Sequence, residues 1–424
     1  QMSEAKTEFL ERSKKFWNPG KTQDWIDFGV DLVIDRREGY YLYDMDGRRL
    51  LDFHLNGGTY NLGHRNPELV EALKAGTQRF DMGNHHFPAL ARTALAEALK
   101  ECAPSPNLQY TAYASGGGEA IDIALKTARH ATKRKKIISI RKAYHGHTGL
   151  AVKTGDDRFS KLFLSEDIND EFIQVTFNDL TEMEDALKGR DVAAVILETI
   201  PATYGFPMPN EDYLRSVKRL CEKYETLYIA DEVQTGLMRT GAMWGCMKYG
   251  VEPDIMVTGK GIAGGMYPLA CVLISEKCGG WLKEDGFGHI STGGGAELGC
   301  IVSMKTLEIV QRPEVATMVR YIGNFLRTGL DEIRQAYSDF FVDIRQHGVI
   351  MGLVFNDVQG AKPVMRHLYE NGVWAIFSTL DPSVLQFKPG LLLSQADAEE
   401  VLRRMAIAVE LARNEVMGAK RRKL

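Results

Sequence analysis

Paired cysteines, long uncharged apolar runs and an excess of positive charge are all missing from this sequence. Its six cysteines stand singly and form no Cys-x-x-Cys pair, which argues against a zinc site or a disulfide framework and favours reduced thiols. No uncharged run is long enough to span a membrane, and the polar start, Gln1–Lys6, lacks the apolar core of a signal peptide. The formal net charge of −4 leaves no electrostatic footprint for nucleic acid. We therefore expect a cytoplasmic globular protein with no membrane and no nucleic-acid partner.

The composition is that of an ordinary globular protein, with 44% hydrophobic and 25% charged residues over 424 positions. Single hydrophobic cores stop growing before this length, so two domains are expected. The N-terminal segment predicts an amphipathic helix, Ser3–Trp17, ended by Asn18-Pro19-Gly20. Tyr40–Phe53 predicts a β-hairpin around an Asp-Gly turn, and Ala396–Glu415 predicts a long amphipathic helix.

The stretch Leu227–Gly265 contains two short, β-prone apolar runs that each end near a charged residue. The first run, Leu227–Ala230, is followed by Asp231, and the second, Ile255–Thr258, is followed closely by Lys260. Such runs, bounded by glycine and proline, are typical of buried strands in a parallel sheet. Ligands of open α/β sheets bind beyond the carboxyl ends of the strands. The acid and the lysine therefore predict a site.

These two residue types suit one cofactor. A lysine in a partly dry pocket has a lowered pKa and can attack a carbonyl, and an aspartate facing a pyridine nitrogen keeps that nitrogen protonated. Pyridoxal 5′-phosphate (PLP) needs both groups: a Schiff-base lysine and an acidic partner for its ring. An aspartate after a strand is also a common turn cap, and a lysine between glycines is commonly a loop residue. The spacing of Asp231 and Lys260, with further site elements nearby, favours the chemical interpretation.

A glycine-rich turn supplies a candidate anion site. A predicted strand, Leu108–Ala114, runs into Ser115-Gly116-Gly117-Gly118-Glu119, and an amphipathic helix follows. Free N–H groups and the positive end of the helix dipole would meet at this turn and hold a phosphate. A tight turn without any ligand is the alternative.

Another predicted strand, Val192–Leu197, ends in Glu198, and the helix Tyr213–Tyr224 leads back to the strand before Asp231. This is a βαβ unit, so Glu198, Asp231 and Lys260 all stand at strand ends. The fold class is therefore α/β.

Three histidines are candidate ligands or bases. His145 and His147 lie two residues apart, but no third ligand cluster accompanies them, so no metal site is predicted. For His64, in Asn61–Arg65, we favour a structural role in a turn.

Four motifs in this order closely resemble the class III aminotransferases, which are PLP enzymes of fold type I. They are Asp231–Gly236 (DEVQTG), Arg239–Gly241 (RTG), Pro253–Asp254 and Gly259–Gly265 (GKGIAGG). The resemblance extends over roughly Asp24 to Asn414. It implies a mixed, mostly parallel central sheet flanked by helices, plus a smaller α+β domain built from both chain ends. The implied boundaries are residues 1–65 and 311–424 for the small domain and 66–310 for the PLP-binding domain.

The resemblance also implies roles for residues around the cofactor. Lys260 would form the Schiff base and Asp231 would face the pyridine nitrogen. The remaining contacts would come from the backbone of Gly117 and Gly118 to phosphate, the Tyr144 ring on the pyridine face, Gln234 to the phenolic oxygen, and Thr292 to the phosphate of a neighbouring subunit. Thr292 thereby implies an obligate homodimer with shared active sites.

Departures from the family pattern concern the substrate side, where Glu198 and Gln386 are the candidate residues. Members that bind α-carboxylates commonly carry an arginine where Gln386 stands, and ornithine-type members carry a gate glutamate where Thr203 stands. Both changes argue against a plain ornithine-like specificity. Lys388 is a possible substitute for the missing positive charge.

We predict a PLP-dependent transfer of an amino group from an amine or amino acid to a keto acid or aldehyde, through pyridoxamine phosphate. A racemase, an epimerase or a phospho-lyase on the same fold is the alternative, and Val384–Pro389 (VLQFKP) somewhat resembles the phospho-lyase branch. Use of the fold as a non-enzymatic binding protein is a further alternative. The intact set of Asp231, Gln234 and Lys260 argues against it.

Overall fold

Two helices open the chain in the computed structural model, which describes residues 2–424. The first, α1 (Glu4–Phe16), begins at Ser3, whose hydroxyl accepts a hydrogen bond from a backbone N–H of the first turn. The second, α2 (Pro19–Asp27), begins at Asn18, whose side chain caps it in the same way. The Asn-Pro-Gly segment, predicted only to end a helix, therefore also begins one, because proline is favoured in a first helical turn.

The rest of the N-terminal part contains the predicted hairpin and three further helices. They are β1 (Ile34–Glu38), β2 (Tyr41–Asp44), β3 (Arg49–Asp52), α3 (Leu55–Gly58), α4 (Pro67–Thr77) and α5 (Leu90–Cys102). The ring of His64 is buried, and its Nε2 lies 2.7 Å from Oδ2 of Asp52. This contact ties the turn after α3 to the end of β3 and agrees with a structural role.

The middle of the chain alternates strands and helices. These elements are β4 (Leu108–Ala114), α6 (Gly117–Thr132), β5 (Lys136–Ile140), α7 (Ala151–Thr154), α8 (Arg158–Lys161), β6 (Phe172–Val175), α9 (Leu180–Leu187), β7 (Val192–Glu198), α10 (Tyr213–Lys223), β8 (Leu227–Asp231), β9 (Ile255–Thr258), β10 (Ala270–Ser275), α11 (Gly280–Glu284) and α12 (Glu297–Val310). Seven of the strands form one sheet in the order β4-β10-β9-β8-β7-β5-β6. All neighbours are parallel except β10, which is antiparallel to both β4 and β9. The predicted mixed, mostly parallel sheet is confirmed.

The C-terminal part completes two smaller sheets. Its elements are α13 (Pro313–Ala336), β11 (Phe341–His347), β12 (Ile350–Phe355), α14 (Ala361–Glu370), β13 (Val373–Trp374), β14 (Ile376–Ser378), β15 (Asp381–Phe387) and α15 (Gln395–Arg422). One sheet has the order β11-β12-β15-β14, and in the other β13 lies parallel to β3 of the N-terminal hairpin. The two chain ends thus share a sheet outside the large one. The domain boundaries proposed from sequence stay a prediction.

Over residues 2–424, none of the helices combines the length and the apolar character that crossing a membrane requires.

Candidate active site

The carboxyl ends of β7, β8 and β9 bring three predicted site residues together. Glu198 and Asp231 stand opposite each other in the β7–β8 ladder, and Asp231 stands opposite Val257 in the next one. Lys260 follows β9 after one glycine. A cavity of about 170 Å³ opens here, lined among others by Gly117, Gly118, Tyr144, His145, Glu198, Asp231, Gln234 and Lys260. The pocket therefore lies at the carboxyl ends of the strands, where the sequence predicts a site.

Lys260 presents its amine to this cavity from a short 3₁₀ turn, Lys260–Ala263. Its own φ is 45°, a left-handed conformation that non-glycine residues seldom adopt. Burial lowers the pKa of Lys260, while the negative charges of Asp231 and Glu198 act in the opposite direction. A lysine with a lowered pKa offers more of its nucleophilic neutral amine.

Gly57 makes room for that amine. A Cβ added at Gly57 would lie 2.3 Å from Nζ of Lys260, and the residue has a φ of +73°. Its neighbour Gly58 has a φ of +93°, but the nearest atom to an added Cβ is a carbon of Arg239 at 3.5 Å. A side chain at Gly57 would therefore collide with the lysine amine, whereas one at Gly58 would not.

Replacing Gly57 with alanine is expected to displace the Lys260 amine and to lower kcat/KM about 10-fold or more relative to Gly58→Ala. Both substitutions put alanine at a positive φ, so both are expected to cost about 1 kcal/mol of folding stability. Steady-state kinetics and thermal unfolding of the two variants separate these effects. Equal activity in both variants would mean that the space beside the Lys260 amine at Gly57 is not needed for catalysis.

Asp231 is oriented by two neighbours. Its Oδ2 lies 2.8 Å from Nδ1 of His145, and its Oδ1 accepts a hydrogen bond from the Val233 N–H at 3.1 Å. Burial alone would lower the pKa of His145, but the hydrogen bond and charge of Asp231 raise it on balance. The histidine therefore faces the aspartate as a proton donor. No sequence pattern indicates this pairing, because the two residues are 86 positions apart.

Burial raises the pKa of two glutamates at the site. Glu198 accepts hydrogen bonds from the N–H groups of Tyr144 at 3.0 Å and Ala202 at 3.3 Å, and burial with the charge of Asp231 raises its pKa to about 7. Glu232, which the sequence did not single out, is fully buried, and burial raises its pKa to about 7 as well. Its carboxyl group accepts from the Thr235 hydroxyl at 2.7 Å and so braces the turn that carries Gln234.

The glycine turn before α6 has the features of an anion site. Gly116 is the N-cap residue, and no side chain caps the first turn of the 16-residue helix. An added Cβ at Gly117 would meet no atom within 4 Å, whereas at Gly118 it would lie 2.7 Å from Oγ1 of Thr148. That hydroxyl already donates to Asp122, so backbone N–H groups are the donors at this turn.

Tyr144 and Gln234 also line the cavity. The Tyr144 ring makes edge contacts with His147 and Phe159, with ring centres 5.4 and 5.5 Å apart. Burial raises the pKa of Tyr144, so its hydroxyl stays neutral. The side-chain oxygen of Gln234 is buried and has no hydrogen-bond partner among residues 2–424.

Thr292 and Gln386 lie outside the residues that line the cavity. Thr292 is exposed in the segment between α11 and α12. Gln386 is buried on β15, where its Oε1 accepts a hydrogen bond from Lys388. The N–H of Leu380, just before β15, donates to the carbonyl of Thr203 at 3.1 Å. The two segments named from sequence as substrate determinants are therefore neighbours in space.

The groups that line the cavity fit PLP. They include an uncapped helix N-terminus for an anionic group, a carboxylate for a ring nitrogen, a flat aromatic side chain, an unpartnered amide oxygen and a lysine amine. Together with the seven-stranded sheet, these groups define a PLP-dependent enzyme of fold type I.

Comparison with known proteins narrows the class to a family. The model of the family "Aminotransferase class-III" matches residues 27–409. An "uncharacterized aminotransferase" of Archaeoglobus fulgidus is 42% identical over 409 residues, covering 96% of this chain and 95% of the relative. A putrescine aminotransferase of Pectobacterium atrosepticum is 29% identical, covering 93% and 84%. The ornithine aminotransferase of Toxoplasma gondii superposes with a TM-score of 0.88 at 24% identity, covering 97% and 96%.

The chain belongs to the class III aminotransferases. It is a PLP-dependent enzyme that transfers an amino group from a donor to a carbonyl acceptor. The predicted cofactor, fold and reaction type are confirmed. The family match favours transamination over racemisation or phosphate elimination.

Proposed function

We propose that Lys260 and Asp231 carry out the amino transfer in the cavity described above. The observation that carries this proposal is the meeting of Lys260, Asp231 and Gln234 at one edge of the sheet. Bound PLP supplies an electron-accepting ring that stabilises negative charge next to the reacting carbon. The chain supplies the groups that hold the ring and move protons.

Lys260 is the residue that would hold the cofactor covalently, and it would also act as general base and acid toward the donor's Cα. Its lowered pKa supports both roles, because the neutral amine can take the proton from the donor's Cα and then deliver it. Asp231 is proposed to keep the ring nitrogen protonated, with His145 fixing its orientation. Tyr144 would pack on the ring face, and Gln234 would bind the phenolic oxygen.

The phosphate is proposed to bind at the glycine turn before α6. Gly117→Ala would place a methyl group where the phosphate lies, so the Kd for PLP is expected to rise about 10-fold or more. Gly116→Ala is the matched control, since its added Cβ would also meet no atom within 4 Å but Gly116 does not line the cavity. Titration of the apo forms with PLP, followed by absorbance, measures both. A near wild-type Kd for Gly117→Ala would place the phosphate elsewhere.

The active enzyme is proposed to be a cytoplasmic homodimer in which Thr292 reaches the phosphate bound by the partner subunit. Its exposure, away from the cavity of its own chain, supports this role. Mixed dimers of Lys260→Ala and Thr292→Ala subunits test it. One of the two sites in each mixed dimer would then be fully wild type, so mixing should restore PLP affinity and activity there. A mixture no more active than its parents would argue against shared sites.

The substrates are proposed to be a small amine or amino acid and a keto acid or aldehyde acceptor. The central test uses holoenzyme, a panel of such donors and no acceptor. One carbonyl product per active site is expected, after which the reaction stops because no acceptor is present to take up the amino group. Continued turnover that inverts the donor's configuration without a carbonyl product would instead indicate a racemase. Continued release of phosphate from a phosphorylated amine would indicate a lyase.

A further inference from the structure

A second lysine, Lys388, lies buried near the proposed active site without a carboxylate partner. Its side chain is 1% exposed, and no Asp or Glu oxygen among residues 2–424 lies within salt-bridge distance. The ammonium donates one hydrogen bond, to Oε1 of Gln386, and lies 5.7 Å from the ring centre of Phe206. Lysine has three N–H donors, so most of its hydrogen-bonding capacity is unused.

The protein does not supply a counter-ion for this group. Burial lowers the pKa of Lys388 well below its usual value, and the positive charges of Lys260 and Arg239 lower it further. Asp52 is the opposing charge, but its carboxylate is already bound to His64. Desolvating an ammonium is costly unless an anion accompanies it. An external anion would therefore restore the charged form.

Lys388 does not line the cavity but lies close to the segment that borders it. Its backbone N–H donates to the carbonyl of Phe53 at 2.8 Å, at the start of the segment that leads to Gly57 and the Lys260 amine. Burial lowers the pKa of the intervening His54, and the charges of Lys388 and Lys260 lower it further, so His54 lies within electrostatic reach of both lysines.

The other side of Lys388 faces the loop that follows Glu198. Phe206 belongs to this loop, and a Cβ added at the preceding Gly205 would lie 3.0 Å from Cβ of Val384 on β15. The side-chain nitrogen of Gln386 donates to no residue among 2–424, so an amide donor stands beside the ammonium. An ammonium and an amide N–H are the two kinds of donor that a carboxylate accepts from.

We propose that Lys388 and the Gln386 amide bind the carboxylate of an amino-acid substrate. The inference rests on the proposed function and deepens it, because it assigns the groups that recognise the substrate rather than the cofactor. A substrate with a carboxylate would supply the missing counter-ion. A substrate without one would leave Lys388 unpaired, which gives the enzyme a basis for preferring amino acids over simple amines.

The test compares donors that differ only in the carboxylate: L-ornithine with putrescine, and L-alanine with ethylamine. In holoenzyme, Lys388→Met is expected to lower kcat/KM about 100-fold for the amino acids and to leave the amines near wild type. Gln386→Glu should have the same selective effect, because its own carboxylate would occupy Lys388. Lys362→Met is the control, since Lys362 also lies over an aromatic ring, 5.2 Å from the centre of Phe377, on a neighbouring part of the C-terminal sheet.

A second readout is the binding of valerate, a carboxylate without an amino group, to holoenzyme by calorimetry. Binding is expected in the wild type and in Lys362→Met, and its loss is expected in Gln386→Glu and Lys388→Met. If Lys388→Met does not fold, Gln386→Glu carries both tests.

Three results would overturn the assignment. They are equal losses for amino acids and amines, no loss for either, or a preference for phosphoethanolamine with release of phosphate. If no donor yields a carbonyl product in the wild type, the proposed function itself fails. If amines alone react, that function stands and the carboxylate site fails.

Discussion

Lys260→Ala is expected to abolish turnover while leaving the fold intact. The substitution removes both the nucleophile that holds the cofactor and the group that moves the Cα proton, so activity should fall below about one part in 10⁴ of wild type. The substitution also removes a buried amine, so its desolvation no longer opposes folding. Thermal unfolding of the apo form is therefore expected to stay near wild type.

Two companion variants sharpen this test. Lys260→Arg keeps a positive charge in the cavity but cannot form the covalent link, so it should be as inactive as alanine. Lys283→Ala removes an exposed lysine from α11 and should behave as wild type. For each variant, carbonyl product is measured by chromatography, with the enzyme in large excess over the donor. Substantial turnover by Lys260→Ala would remove the basis of the proposed mechanism.

Asp231→Asn is expected to slow amino transfer by about 10²–10³-fold, because the amide cannot stabilise a protonated ring nitrogen. The same change removes the carboxylate that raises the pKa of His145, so that pKa should fall. A single-turnover rate and the NMR titration of the His145 ring measure the two effects. A near-normal rate in Asp231→Asn would show that this carboxylate does not serve the ring.

The matched control for this prediction is Asp254→Asn. Asp254 is equally buried and lies just before β9, where it binds Lys218 and Lys277 and accepts a hydrogen bond from the N–H of Tyr228. It therefore lies between β8 and β9, as Asp231 does, but it does not line the cavity. Its replacement is expected to lower the unfolding temperature and to leave the rate of amino transfer near wild type.

Strands that are buried on both sides were readable from the sequence, because they are short, uninterrupted apolar runs. Leu108–Ala114, a partly exposed edge strand in front of the glycine turn, was predicted with the bounds that the structure shows. The strands before Asp231 and Lys260, which are buried along their whole length, were predicted to within a residue. Ala270–Ser275 has the same character, yet its place between β4 and β9 and its reversed direction came only from the structure. An apolar run carries no information about its neighbours or its direction.

The site divides in the same way. Lys260, Asp231 and the glycine turn follow strands, so local pattern and motif order located them. Other parts of the site depend on segments that are distant in the sequence, and no periodic pattern reveals them. They are His145, Gly57 and Lys388. From the sequence, Lys388 is only a candidate positive charge; its burial and its lack of a counter-ion are properties of the packed chain.

The parallel pairing of β3 with β13 has a consequence for how the chain is made. Leu51 pairs with Val373, about 320 residues later. At the usual speed of a ribosome, roughly 15 to 65 seconds separate the synthesis of these two strands. The hairpin at the beginning therefore waits, with one edge uncovered, until almost all of the chain has been translated. During that interval the exposed edge is a candidate binding surface for a chaperone.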